Sequence, residues 1–104
     1  MASYINGITR DPAPSSITSG TKAGSAGGAQ LTTTVTPCSG VWFGAPETAG
    51  VATNAAPVYI GGSAAQLIPI MPENYEGIYI EIDDASKVYV KSAGGESIRY
   101  AIFA

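Results

Sequence analysis

The stretch Gly77-Ile78-Tyr79-Ile80-Glu81-Ile82-Asp83 decides the fold class. Side chains alternate across a β-strand, so the three isoleucines share one face and Tyr79 and Glu81 share the other. Two later segments, residues 87–91 and 97–103, repeat this alternation with valines, isoleucines and tyrosines. A sheet with one face in water alternates apolar with polar residues, whereas here the second face keeps aromatic residues. The pattern predicts β-strands that carry apolar side chains on both faces.

Four more short strands precede these three. They are predicted over residues 31–35, 41–43, 57–60 and 65–70, with a Gly/Ala/Pro/Thr loop between the second and third. Glycine and proline punctuate the intervals, and the Gly94-Gly95 pair favours a hairpin between the last two strands. About seven short strands with no helical period predict an all-β chain. We expect a single small β-sandwich or a jelly-roll-like β-barrel.

The first 30 residues differ in composition from the rest. Between Asp11 and Gln30, sixteen of twenty residues are Gly, Ser, Ala, Pro or Thr. Such a stretch buries too little surface to offset its ordering entropy. We therefore predict a flexible extended arm over residues 1–30 and a β-sandwich domain over residues 31–104. Tyr4, Ile5 and Ile8 form an apolar cluster that could anchor the arm, although a terminus without a role has the same composition.

The second strand face is interpreted as a contact surface. A chain of 104 residues covers two apolar sheet faces poorly by itself, and oligomerisation is a natural supplement. Scattered surface tyrosines that need no partner are the alternative. The predicted subunit or capsid contacts are Tyr4, Ile5, Ile8, Trp42, Tyr59, Tyr79, Tyr89 and Phe103.

Charge and cysteine content exclude several classes of function. Residues 31–104 hold three basic and seven acidic side chains, and the whole chain carries a net charge of −3. An acidic globule is a poor ligand for phosphate backbones, so we expect no nucleic-acid partner. No long apolar run or basic leader occurs, so we expect no membrane partner. The single cysteine, Cys38, excludes an intrachain disulfide and a zinc cluster and is expected to be a small buried residue.

Catalytic chemistry has little support in the residues. The chain has no histidine, so the usual base at neutral pH is missing and a cysteine nucleophile lacks its partner. Glu81, Asp83 and Asp84 form the one acidic cluster, which fits either a calcium site or aspartates that cap a turn. No phosphate-binding glycine motif occurs. We expect no enzyme activity and no cofactor, while the strand aromatics leave carbohydrate binding open as an alternative.

Five segments follow one another in a distinctive order. A strand ending in Gly-Gly leads to a proline-rich apolar segment, and then come three short strands, the middle one preceded by Asp-x-x-Lys. The segments are Pro57-Val58-Tyr59-Ile60-Gly61-Gly62, Ile68-Pro69-Ile70-Met71-Pro72, Ile78-Tyr79-Ile80, Asp84-Ala85-Ser86-Lys87-Val88-Tyr89-Val90 and Ile98-Arg99-Tyr100. Together they resemble a recurrent pattern in small virion proteins of tailed bacteriophages. The resemblance covers residues 31–104 and leaves the arm uncovered.

That resemblance implies a structural role in a bacteriophage virion. It implies a capsid decoration (cement) protein on the capsid surface, made in the bacterial host cytoplasm, with the major capsid protein or another virion protein as partner. A homotrimer at a capsid symmetry axis would bury one sheet face per subunit, and its arms would reach along the shell. A neck, tail or head-fibre component is the alternative within the same virion.

Overall fold

Two antiparallel four-stranded sheets form the protein in a computed structural model, which describes residues 16–104 and the backbone of residues 3–5 and 8–10. The strands are β1 (Ser3–Ile5), β2 (Ile8–Arg10), β3 (Ile17–Ala23), β4 (Ala29–Gln30), β5 (Gly40–Gly44), β6 (Glu47–Thr48), β7 (Val51–Ala52), β8 (Val58–Gly61), β9 (Gln66–Ile70), β10 (Ile78–Ile80), β11 (Tyr89–Lys91) and β12 (Ser97–Phe103). A 3-10 turn over Ala85–Lys87 precedes β11. The all-β sandwich predicted from the sequence is confirmed, with more and shorter strands than the seven expected.

The order of strands defines two sheets that face each other. Sheet I runs β10-β5-β12-β3, and sheet II runs β4-β11-β8-β9. Two small hairpins, β1–β2 and β6–β7, lie outside these sheets. The inward side chains meet in one core, since residues from both sheets are buried together. Its main members are Val41, Phe43, Ile98 and Ile102 of sheet I and Val58, Ile60, Ile70 and Val90 of sheet II.

Residues 16–30 belong to the sandwich, so the predicted arm is wrong over this part. β3 pairs with β12 over its whole length, from Ile17 opposite Phe103 to Ala23 opposite Ser97. The Ser16 N–H donates to the Ala104 carbonyl at 2.9 Å, and the reverse bond is also 2.9 Å. The composition argument failed because an edge strand is held by its main-chain ladder and needs few buried side chains. The predicted contacts of Tyr4, Ile5 and Ile8 concern side chains outside the described residues.

Two local predictions also fail. Residues 31–35 form no strand: the hydroxyl of Thr36 donates to the carbonyl of Thr34 at 2.9 Å, and Val35 is 75% exposed. Threonine hydroxyls that bond nearby carbonyls compete with a sheet ladder. Gly94-Gly95 joins β11 of sheet II to β12 of sheet I, so it crosses between sheets and closes no hairpin.

Candidate functional site: two contact surfaces

The outer face of sheet I gathers one group of apolar side chains, which we call the outer patch: Ile17, Trp42, Tyr79, Ala101 and Phe103. The register places Ile17 opposite Phe103 and places Ala101 opposite Trp42, which in turn lies opposite Tyr79. Residues of like parity on paired strands share one face, so the group spans all four strands. Ile17 is 62% exposed and Tyr79 is 50% exposed. This surface is apolar and open to solvent.

Glycine makes room for the rings at one end of the outer patch. The rings of Tyr79 and Phe103 meet edge to face, with centroids 5.6 Å apart and planes inclined by 69°. A Cβ atom on Gly40, which lies opposite Phe103, would collide with the Tyr79 ring. An aromatic ring that covers a glycine on the neighbouring strand protects that strand's backbone from solvent. Tyr79 and Phe103 therefore form a preorganised aromatic pair rather than two independent surface residues.

Trp42 is fixed in place by polar contacts at the middle of the same face. Its indole N–H donates to the Glu76 carbonyl at 2.8 Å, and the Arg99 guanidinium lies 5.6 Å from its ring centroid. Arg99 in turn donates to the carbonyls of Ala45 at 3.1 Å and Tyr75 at 3.3 Å. These bonds restrict both side chains, so a partner that docks here orders few additional rotamers.

The predicted contact residues do not form one surface. Trp42, Tyr79 and Phe103 lie on the outer face of sheet I, whereas Tyr59 and Tyr89 lie on the outer face of sheet II, on the other side of the molecule. Tyr59 is 37% exposed and Tyr89 is half-buried. Tyr79 and Tyr89 therefore cannot both contact one flat partner, whereas the sequence pattern predicted a single contact face for both.

Strand β9, at the edge of sheet II, carries exposed apolar side chains that the contact prediction missed. Leu67 is 78% exposed, Ile68 is 44% exposed and Met71, just past the strand, is 54% exposed. The signal was present in the sequence, because residues 48–72 contain no Asp, Glu, Lys or Arg. Contact surfaces are depleted of charge at their centres. Pro69 interrupts the alternating pattern of β9, so the pattern did not indicate a contact surface at this strand.

A groove opens between the sheets beside β9, and we call it the edge groove. It has a volume of about 220 Å³. Its walls are Ile60, Ile68, Ile80, Ile82, Val88 and Lys87, together with two glycines. Small-molecule sites usually enclose about 300–1,000 Å³ and carry several polar groups. The edge groove is smaller and almost wholly aliphatic, so its size and lining suit apolar side chains better than a cofactor.

The acidic cluster caps a turn. One carboxylate oxygen of Asp84 accepts from the N–H groups of Thr36 and Ser86, both at 2.9 Å, and from the Ser86 hydroxyl at 2.8 Å. These hydrogen bonds lower the pKa of Asp84, those from the main chain most strongly. Asp83 pairs with Lys87 at 2.8 Å, and both side chains are exposed. The turn-capping interpretation is confirmed for Asp84.

Cys38 packs against the core but is only half-buried. Its thiol donates to the Ile82 carbonyl at 3.2 Å, and burial raises the pKa of this thiol. A thiol with a raised pKa is a poor nucleophile at neutral pH. Over residues 16–104, no group of three or more Cys, Asp and Glu side chains converges as a metal site would require.

Comparison with known proteins finds no matching family model, no matching curated protein and no matching solved structure. In the part of the chain that the structure describes, no helix has the length and apolar character needed to cross a membrane.

Proposed function

We propose that the chain is a non-enzymatic structural protein of a bacteriophage virion, a capsid decoration protein that binds the head shell as a homotrimer. The observation that carries the proposal is the outer patch, a group of apolar side chains from all four strands on the outer face of sheet I. The resemblance of residues 31–104 to small virion proteins of tailed bacteriophages supports the same assignment. The low overall charge also supports it, because surfaces that are covered in use carry few charges.

The size of the outer patch favours a contact that is repeated many times. Burying the exposed half of an isoleucine or tyrosine side chain contributes about 1 kcal/mol, since full burial contributes about 1.5–3 kcal/mol. Ile17 and Tyr79, the two most exposed members, contribute about 2 kcal/mol together, and the less exposed Trp42 and Phe103 add less than that each. The sum does not clearly exceed the lower bound of about 4 kcal/mol for the cost of association. One patch alone thus binds weakly. Three patches held in one trimer bind together, because the second and third contacts form at high effective concentration.

A neck, tail or head-fibre component of the same virion would use the same surface and is the second candidate. Carbohydrate binding is less well supported by the geometry. Sugar rings stack on open aromatic faces, whereas the ring of Trp42 already contacts the Arg99 guanidinium. A glycan array with the full chain separates this class from the structural one, because a strong and selective hit would favour a carbohydrate-binding module.

Electron microscopy of labelled protein on virions tests the proposal and locates the chain. We expect label over the capsid surface, and label confined to the neck, tail or fibres would support the second candidate. The Tyr79→Ser/Phe103→Ser variant should lose capsid occupancy. Val51→Ser is the matched control, because Val51 is 67% exposed on the β6–β7 hairpin, outside the outer patch. Equal occupancy of both variants would contradict a role for the outer patch.

A further inference from the structure

We propose that strand β3 of one copy of the chain pairs with β3 of a second copy, antiparallel and centred on Gly20. The pairing joins two four-stranded sheets into one continuous sheet, whose eight strands stay within the usual size of twisted sheets. This inference goes beyond the proposed function, because it names a contact between copies that is separate from the outer patch and from a capsid partner.

Among the four sheet edges of the described sandwich, β3 is the one that is open for pairing. Sheet I ends at β10 and β3, and sheet II ends at β4 and β9. Strands β4 and β10 have two and three residues, and β9 contains Pro69, which has no N–H to donate. Strand β3 pairs with β12 in unbroken register over seven residues, contains no proline and has no other described strand beside it. Native proteins usually shorten or block their sheet edges, so a long regular edge indicates a pairing surface.

The direction of the main-chain groups of β3 follows from its pairing with β12. Ser16 and Ala104 exchange two hydrogen bonds of 2.9 Å, and the Gly24 N–H donates to the Glu96 carbonyl at 3.0 Å. Bonding alternates along an antiparallel strand, so the even-numbered residues of β3 bond to β12 and the odd-numbered residues point their N–H and C=O groups away from it. The odd-numbered residues are Ile17, Ser19, Thr21 and Ala23. Each of them offers one donor and one acceptor along the open edge.

A second β3 matches this edge when Gly20 lies opposite Gly20 of the second copy. Ile17 then lies opposite Ala23, and Ser19 lies opposite Thr21. The two residues of each such pair exchange both hydrogen bonds, so every outward donor and acceptor of the strand is used. The side chains match too, because apolar pairs and pairs of hydroxyl groups are both favourable across strands.

Lys22 selects this register. It is the one charged residue of β3, and like charges placed directly opposite each other destabilise a pair of strands. In the register centred on Gly20, Lys22 lies opposite Thr18 of the second copy, which is uncharged. A shift that centres the pair on Lys22 would place the two ammonium groups opposite each other. The lysine therefore permits the proposed pairing and disfavours that alternative.

The pairing places both outer patches on the same side of the joined sheet. Two identical antiparallel strands are related by a two-fold axis perpendicular to the sheet, so Ile17 of the outer patch borders the second copy. The contact is narrow: seven residues extend about 24 Å along one sheet edge and bury less than the ~1,000 Å² of a stable interface. Pairs therefore form where copies are held close together, whereas dilute copies are not joined through this edge.

Amide hydrogen exchange of the full chain tests the pairing without any substitution. We expect the Ser19 and Thr21 amides to exchange about tenfold more slowly at high protein concentration than in dilute solution, because the second copy then accepts their hydrogen bonds. The Thr18 and Lys22 amides are the internal control, since they bond to β12 at every concentration. Ser19 and Thr21 amides that exchange fast at all concentrations would overturn the inference. Equal protection at all concentrations would overturn it too, because the edge would then be covered within one chain.

Disulfide trapping between two differently tagged proteins tests the register. In a Cys38→Ser background, one protein carries Ser19→Cys and the other carries Thr21→Cys, which the pairing places with Cα atoms about 5.5 Å apart, within disulfide reach. We expect a mixed dimer about tenfold more abundant than with Val51→Cys as the partner, because Val51 is exposed on the β6–β7 hairpin, outside β3. Ser19→Cys paired with itself is the register control, because these two residues lie diagonally, about 7–8 Å apart. A mixed dimer no more abundant than either control would overturn the inference.

The strand contact and the proposed capsid binding can fail separately. A chain that binds capsids but gives neither the mixed crosslink nor the concentration-dependent protection refutes only the β3 pairing. A chain that gives both but ignores capsids supports the β3 pairing and refutes the proposed function.

Discussion

The exchange of Gly77 for alanine probes how the outer patch is built. Gly77 has φ +76, a left-handed conformation that costs a residue with a side chain about 1–2 kcal/mol. A Cβ atom there would collide with the Phe43 carbonyl oxygen and lie 2.8 Å from the Trp42 ring. Overpacking of this kind adds about 1–3 kcal/mol. We therefore expect Gly77→Ala to lower the free energy of unfolding by about 2–5 kcal/mol.

Gly50 provides a matched control. It has φ +78, and an added Cβ would meet no atom within 4 Å. Gly50→Ala should therefore cost only the conformational part, about 1–2 kcal/mol. Urea unfolding followed by circular dichroism gives both values, and Trp42, the only tryptophan, provides a fluorescence probe of the same transition. Equal destabilisation of the two variants would refute the close approach of β10 to β5 that positions Tyr79.

Three other variants test single contacts in the sandwich. Ser92→Ala should leave the melting temperature unchanged or raise it, with a gain of at most about 3 kcal/mol, because the Ser92 hydroxyl is buried without a hydrogen-bond partner in the described residues. Clear destabilisation would contradict this. Asn54→Ala should destabilise the protein by about 1–3 kcal/mol, because the Asn54 side chain donates to the Ser97 carbonyl at 2.7 Å and accepts from the Ser97 N–H. An unchanged melting temperature would contradict this. Asp84→Ala should be less stable than wild type at pH 7. Since folding lowers the pKa of Asp84, this difference should persist above about pH 3.9 and shrink as the pH falls through the folded-state pKa, and a difference that stays constant down to pH 2.5 would contradict the capping role.

The alternating segments were predictable because a strand has a side-chain period of two. Ile78 and Ile80 pack against the core and Tyr79 faces out, and β12 spans residues 97–103 as the pattern predicts. Strand β3 was not predictable from burial, because its main chain does the bonding and most of its side chains are exposed. Sequence patterns report which side chains are buried, so they miss edge strands that bury few.

The grouping of the contact residues could not be read from the sequence. A period of two gives the face of each strand but not the sheet to which the strand belongs, so the sequence alone does not separate Tyr79 from Tyr89. The register assigns them to sheets I and II. The edge groove depends on the same long-range information, since Ile68 and Ile80 become opposite walls only when the two sheets pack. Ile17 joined the outer patch for this reason too, through its pairing with Phe103.

Sedimentation velocity of the full chain, alone and mixed with empty expanded capsids, tests whether the protein is a self-assembling capsid component. Alone, it should sediment as a single species of about three times the chain mass of 10.5 kDa. With capsids present, that boundary should diminish as the protein moves with the fast particles. A boundary at 10.5 kDa that is unchanged by capsids, across the accessible concentration range, would contradict the proposed function.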